Sequence, residues 1–236
     1  MDVRQSNIES MGVDGSPSVV YLMDCIEGMK QYEDNHFDLA VVDPPYGINI
    51  ANSESYGSNG GSDGRWERAD KKQYEKKEWD KSIPDSKYFE ELKRVSRHQI
   101  IWGWNYFVSH INNCPSYIVW DKQSSGNYSE CESAWCSHIG VNRVFRWLWN
   151  GFRKQQPENR IHPTQKPVAL YDWIFKNYAE EGQKILDTHL GSGSSRIAAN
   201  KAGLDFTGFE VDEDYFNDSE KRFKDFISQL RLFEVA

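Results

Sequence analysis

The sequence predicts an α/β fold with a mostly parallel sheet. Three observations carry that reading. Short apolar, β-branched runs recur along the chain and end in polar residues, as buried strands do. Between them lie segments with apolar residues three and four apart, the period of an amphipathic helix. Two of the strands are joined by a glycine-rich turn and a helix, the arrangement of a parallel βαβ unit. With 236 residues the chain can bury a core without disulfide or metal staples. It reads as a single domain over 1–236.

The residues up to about Pro17 are polar and are expected to form a frayed arm. Val19 to Met23 (VVYLM) reads as a buried strand ending at Asp24, followed by a helical segment from Ile26 to Gln31. Phe37 to Val42 (FDLAVV) is a second buried strand. The Pro44-Pro45 pair must end it, because neither residue has an N–H for the ladder. Residues 52–64 are rich in Ser, Gly and Asn, and 65–81 are densely charged, so 52–81 is expected to be a flexible loop. Tyr88, Phe89, Leu92 and Val95 have helical spacing behind Asp85, which suits an N-cap, so a helix is expected to Arg97. Strands follow at Gln99 to Trp102 and Tyr117 to Trp120, and Ser124 to Gln156 reads as irregular. A helix carrying Leu170, Ile174 and Tyr178 on one face ends near Gly182. Then come a strand (Lys184 to Thr188), a turn at Gly191-Ser192-Gly193 and a helix (Ser195 to Ala202). A strand (Phe206 to Val211) and a closing helix (Tyr215 to Leu230) complete the chain.

Composition excludes several classes. The chain is 38% hydrophobic and 14% aromatic, which is neither collagen-like nor disordered. No apolar run reaches the length of a membrane span, and the first residues lack the basic and apolar regions of a secretory signal. A cytoplasmic protein is the expectation. Cys131, Cys136 and His138 form C-x4-C-x-H, looser than structural zinc spacings, so free and mostly buried thiols are favoured over a metal site.

Two turns carry chemistry. The first is the glycine turn after the strand at Lys184. Glycines allow close backbone approach to a ligand, and Glu210 ends the next strand where a carboxylate can accept ribose hydroxyls. Arg196 stands where a dinucleotide fingerprint has its third glycine, which disfavours a dinucleotide. The second is Asp43-Pro44-Pro45-Tyr46. The exocyclic amino group of a base is a poor nucleophile because its lone pair is delocalised into the ring. If its two N–H bonds donate to the Asp43 carboxylate and the Pro44 carbonyl, the nitrogen is pushed toward sp3 geometry and its lone pair becomes available. The rigid Pro44-Pro45 backbone fixes that carbonyl, and Tyr46 can stack on the base. This is catalysis by positioning and electrostatics.

Asp43-Pro44-Pro45-Tyr46, His162-Pro163-Thr164-Gln165-Lys166-Pro167 and Leu190-Gly191-Ser192-Gly193, in that order, resemble the amino-methylating DNA methyltransferases that use S-adenosylmethionine. The order looks like the β-class permutation of that family. The resemblance covers Val19 to about Phe226. It implies a circularly permuted Rossmann-like methyltransferase fold with helices on both faces. A catalytic half would occupy 19–123, a target-recognition insertion 124–160 and a cofactor-binding half 161–230. It implies catalytic roles for Asp43, Pro44, Pro45 and Tyr46. It implies cofactor contacts from Asp187, Thr188, Gly191, Ser192, Gly193 and Ser194 to the methionine part, Glu210 with Val211 to the ribose, and Asp24 with Cys25 to the adenine. Asp43 and Pro44 would border the same site. His162, Thr164 and Lys166 would close over it, with Thr164 and Lys166 near the cofactor carboxylate. No metal is implied. The family pattern DPFxGSGT is here Asp187-Thr188-His189-Leu190-Gly191-Ser192-Gly193-Ser194, without its proline and phenylalanine. His189 reads as structural.

The substrate this implies is duplex DNA, with the target base flipped out to reach Asp43. A homodimer and a partner restriction endonuclease fit the resemblance but have no signature in the sequence. In the family DPPY leans toward adenine-N6 and SPPY toward cytosine-N4, so adenine is favoured, with cytosine as the alternative. A non-catalytic nucleic-acid-binding module is disfavoured by the intact Asp43, Tyr46 and Glu210. Arg143, Arg146, Arg153, Lys154 and Arg160 are the expected DNA contacts, in a segment whose Trp147 and Trp149 read as core. The loop 52–81 would face the DNA as well. The formal net charge of −8 is unevenly spread. Residues 1–64 carry −9 and 177–236 carry −5, while 143–166 carry +5 and 65–97 carry +3. Local field decides contact, so the global sign does not exclude DNA.

Overall fold

A computed structural model describes residues 6–12, 15–50, 77–111, 113–124, 129–138, 140–150, 153–156 and 158–234. The expected loop 52–81 lies outside these up to residue 76, as does Phe152. The strands are β1 (Ser6–Met11), β2 (Pro17–Leu22), β3 (Phe37–Val42), β4 (Ser96–Trp102), β5 (Ser116–Asp121), β6 (Cys131–Cys136), β7 (Arg143–Arg146), β8 (Trp149–Asn150), β9 (Arg153–Lys154), β10 (Lys184–Asp187) and β11 (Asp205–Glu210). The helices are α1 (Cys25–Met29), α2 (Ser86–Val95), α3 (Val168–Tyr178), α4 (Ser194–Lys201) and α5 (Glu213–Glu234). Nine strands form one sheet in the order β1-β2-β11-β10-β3-β4-β6-β5-β7, and β8 and β9 pair separately. Within the large sheet β1 and β6 run against the other strands. The last two strands of the chain fill the centre of the sheet, between β2 and β3. This is the permuted order that the resemblance implies.

Both faces are covered. On β3, Leu39 and Val41 join a core with Leu170, Ile174 and Phe175 of α3, Ala198 and Ala199 of α4 and Phe216 of α5. Ala40 and Val42 face the other way, against Met29 of α1 and Tyr88, Phe89, Leu92 and Val95 of α2. The alternation follows from the period of two along a strand, and an apolar run with no polar face is what burial on both sides requires. Asp85 caps α2 by accepting the Tyr88 N–H at 3.2 Å.

Three expectations are corrected. The N-terminal arm forms β1, whose polar residues suit an edge strand paired on one side with β2. The segment Ser124 to Gln156 is not irregular throughout. Its first part supplies β6, paired between β4 and β5, and β7, paired with β5. Of the four free cysteines Cys136 is buried and Cys25 half-buried. Cys114 and Cys131 are exposed, one in a loop and one at a strand start.

Candidate active site

In a parallel sheet the carboxyl ends of the strands form one edge, and ligands gather there. Asp43 follows β3 at this edge, Asp187 and Thr188 close β10 and Glu210 closes β11. Glu132 also reaches it, because β6 runs in reverse and begins where its neighbours end.

Asp43 is the meeting point. Tyr46 donates its hydroxyl to Asp43 Oδ1 at 2.6 Å, and Lys166 donates to Oδ2 at 2.5 Å. The Lys166 ammonium is buried and lies 3.1 Å from Glu132 Oε2, and Lys122 pairs with Oε1 of the same carboxylate. Burial alone would lower the Lys166 pKa. The Asp43 and Glu132 carboxylates overcome it and hold the group above the ordinary lysine value. Burial likewise opposes ionisation of Glu132, but Lys166 and Lys122 bring its pKa down to about 2. Burial, then the Asp43 charge, pushes Tyr46 well above the tyrosine range, so it remains a donor.

The ring of Tyr46 is set by its surroundings. It stacks on Tyr106 at 4.9 Å with 12° between planes. Its other neighbour is Gly103, at φ 68, where an added Cβ would stand 2.1 Å from Tyr46 Cε1. Asp80, fully buried, accepts the N–H groups of Gly47 and Ile50 at 2.8 Å each and so fixes the chain leaving Tyr46.

The glycine turn lies beside this group. Gly191 and Gly193 have φ of 50 and 69, the left-handed region that glycine enters without a Cβ penalty. Glu210 accepts the N–H of Gly191 at 2.8 Å and those of Val211 and Asp212 at 3.0 Å each. Ser195 and the His189 N–H donate to Asp187. Burial pushes the Asp187 carboxyl up to about 7 and raises that of Glu210. Thr188 Oγ1 meets Tyr88 Oη at 2.7 Å and His189 Nδ1 at 2.9 Å, so His189 is structurally engaged as expected. Ser192 and Ser194 are bridged by their hydroxyls at 3.1 Å, and Arg222 holds both, through the Ser192 carbonyl and the Ser194 hydroxyl.

The other expected residues divide. His162 stands over the turn, with its ring 3.7 Å from where a Gly191 Cβ would be, and bonds Thr164 through Nδ1. Asp24 caps α1, accepting from the Ile26 and Glu27 N–H groups, and Cys25 begins that helix with its thiol pushed up to about 12 by burial. Val211 is exposed. Lys166 sits on Asp43, because a buried ammonium is held by the nearest carboxylates. Arg143 and Arg146 are exposed on β7, with Arg146 at the edge that carries Asp43. Lys154 and Arg160 turn inward to the carbonyls of Glu158 and Pro163. The Arg153 side chain lies outside the described residues. Trp149 is buried and Trp147 packs on the same core. Glu132, Gly103, Tyr106 and Arg222 carry no motif and were not singled out in the sequence.

A family model described as DNA methylase matches residues 120–221. A putative methylase, YubD, of Escherichia coli K12 is 24% identical over 219 residues, covering 84% of this chain and 87% of the relative. The type II methyltransferase M2.MboI of Moraxella bovis is 23% identical over 260 residues, covering 90% and 89%. Among solved structures, the cytosine-N4-specific PvuII DNA methyltransferase matches with a TM-score of 0.56 at 11% identity, covering 90% of this chain and 92% of that one. The M1.HpyAVI–SAM complex matches at 0.51 and 18%, covering 86% and 98%. These structures share the Rossmann-like methyltransferase fold with the chain. The chain is similar over most of its length to a putative methylase and a type II methyltransferase, and in fold to DNA methyltransferases.

Proposed function

We propose that the protein transfers a methyl group from S-adenosylmethionine to the exocyclic N6 of adenine in duplex DNA, after the base has left the helix. The observation that supports this best is one of placement. The Asp43 carboxylate and Tyr46 stand beyond β3, and the glycine turn stands beyond β10, its immediate neighbour in the sheet. Acceptor and cofactor turn are therefore about one strand spacing apart, roughly 5 Å.

The residues at the turn fit the cofactor. Asp187 is buried and Glu210 half-buried, and burial raises the pKa of both, so the pocket favours a ligand that brings positive charge and hydroxyl donors. When bound, S-adenosylmethionine supplies an electrophilic methyl on a sulfonium. Glu210 is placed for ribose hydroxyls, and His162 and Thr164 cover the turn. Asp43 accepts one amino N–H of the base and the Pro44 carbonyl accepts the other. Tyr46 offers a ring face for stacking. Its exchange of the Asp43 bond for a base is the rearrangement binding requires. Arg146, with Arg143 behind it, would meet phosphates at the same edge of the sheet.

Cytosine N4 calls for the same chemistry. Aspartate at the head of the Pro-Pro-Tyr turn supports adenine, and the fold shared with a cytosine-N4-specific enzyme keeps cytosine as the second reading. Incubation with unmethylated DNA and S-adenosylmethionine, followed by nucleoside mass spectrometry, separates N6-methyladenine from N4-methylcytosine.

A further inference from the structure

Asp43, Lys166, Glu132 and Lys122 form a chain of alternating charge in which Lys166 is buried and the others are half-buried. Lys166 Nζ is 2.5 Å from Asp43 Oδ2 and 3.1 Å from Glu132 Oε2. Its third polar neighbour is Tyr46 Oη at 3.4 Å, and the rings of Trp102 and Tyr46 lie 5.5 and 5.8 Å away. Glu132 Oε2 is buried and already pairs with the ammonium at 3.1 Å, so it can keep the cation when Asp43 releases it.

This matters because Lys166 occupies the oxygen of Asp43 that an incoming amino group needs. Removing the cation from the pocket altogether would leave a half-buried carboxylate unpaired, which is strongly unfavourable. We infer that Glu132 is a positioning residue for methyl transfer, taking the Lys166 ammonium as it swings off Asp43 and the target amino group arrives. The inference rests on the reading of Asp43 as the acceptor for that amino group. The move needs a small rotation of the lysine terminus and no change in net charge. Lys122 keeps Glu132 ionised throughout, in line with the low Glu132 pKa. Tyr46, Tyr88 of α2, Tyr171 of α3 and Asp187 of β10 also face the chain. Burial raises all four pKa values, so the tyrosines stay neutral.

The test uses the full chain with Glu132→Gln and Glu132→Asp. With Glu132 neutral, Lys166 has one carboxylate left and must be displaced from it. Glu132→Gln should lower kcat at least tenfold and leave KM for S-adenosylmethionine within twofold. Glu132→Asp, which keeps the charge, should recover most of the rate. Nitrogen-15 NMR of the lysine ammonium groups gives a readout that needs no turnover, since the Lys166 signal should change in Glu132→Gln. If Glu132→Gln does not fold, Lys166→Arg serves, because a guanidinium gripping both carboxylates cannot swing and kcat should fall in the same way. A folded Glu132→Gln with wild-type kcat, or with an unchanged Lys166 signal, overturns the inference. Failure of the wild-type protein to methylate any DNA overturns the reading of Asp43 instead, and the NMR comparison tells the two apart.

Discussion

Gly103→Ala is the sharpest probe of how Tyr46 is held against Asp43. At φ 68 the backbone is left-handed, and placing an L side chain there costs about 1–2 kcal/mol. The new Cβ would lie 2.1, 2.5 and 2.7 Å from three ring carbons of Tyr46, where carbon atoms prefer about 3.5–4.0 Å. The ring must therefore move by roughly 1 Å or more. That breaks a hydrogen bond to a charged group, worth about 1.5–3 kcal/mol, and strains a stacked pair worth about 0.5–1.5 kcal/mol. With partial relaxation and water taking up the freed hydroxyl, the expected loss of stability is about 3–5 kcal/mol. Urea unfolding measures it, and calorimetric titration with S-adenosylmethionine shows whether the glycine turn survives. The expected result is a destabilised protein that binds the cofactor near-normally and transfers methyl at least tenfold more slowly. A variant within 1 kcal/mol of wild type and fully active would refute the claim that Gly103 sets the ring.

Other outcomes follow from the same geometry. Arg196 is fully buried, bonded to Glu220, to Ser18 Oγ at 2.8 Å and to Ser10 Oγ at 3.2 Å. Glu220→Ala strands that guanidinium and should cost about 3–5 kcal/mol in urea unfolding; less than 1 kcal/mol would contradict a tight buried pair. His162 and His189 are pushed down to about 3 and about 4, chiefly by burial. Both pKa values lie below the unfolded histidine value of about 6.5, so each contributes stability above that pH that is lost as pH falls toward 4. Asp187, raised to about 7, acts in the opposite sense, since the folded protein keeps a proton that the unfolded chain gives up above about pH 4. In Asp187→Asn that opposition is gone, and the melting temperature should fall more steeply between pH 6.5 and 4 than in wild type; an equal or shallower slope would count against it. Arg146→Ala should weaken DNA binding and reduce its salt slope by about 0.9 while sparing cofactor binding, as titrations at several salt concentrations would show.

Much of the fold was legible because local pattern and tertiary role coincide. β3 is apolar apart from Asp38 and is followed closely by two prolines, and its limits match the expectation. α2 has a cap and a clear apolar stripe. β1 was missed because an edge strand can be polar, and SNIESM has no apolar face to read. β6 was missed because CESAWC shows no alternation and its place between β4 and β5 is set by partners distant in sequence. The site divides in the same way. Asp43, Tyr46, Glu210 and the glycine turn carry local signatures. Glu132 and Gly103 act through residues brought near by the reversal of β6 and the turn after β4, which no spacing records. Lys166 was recognised, but its pairs with Asp43 and Glu132 were not, because its partners are decided by which carboxylates share its pocket.

The central claim is that Asp43 presents the exocyclic amino group of a flipped base for methylation. Nucleoside mass spectrometry of DNA treated with S-adenosylmethionine and either wild-type protein or Asp43→Ala tests it directly. N6-methyladenine is expected with the wild type and none with the folded, cofactor-binding variant. Substantial methylation by Asp43→Ala, or a methyl group found on ring carbon rather than amino nitrogen, would contradict it.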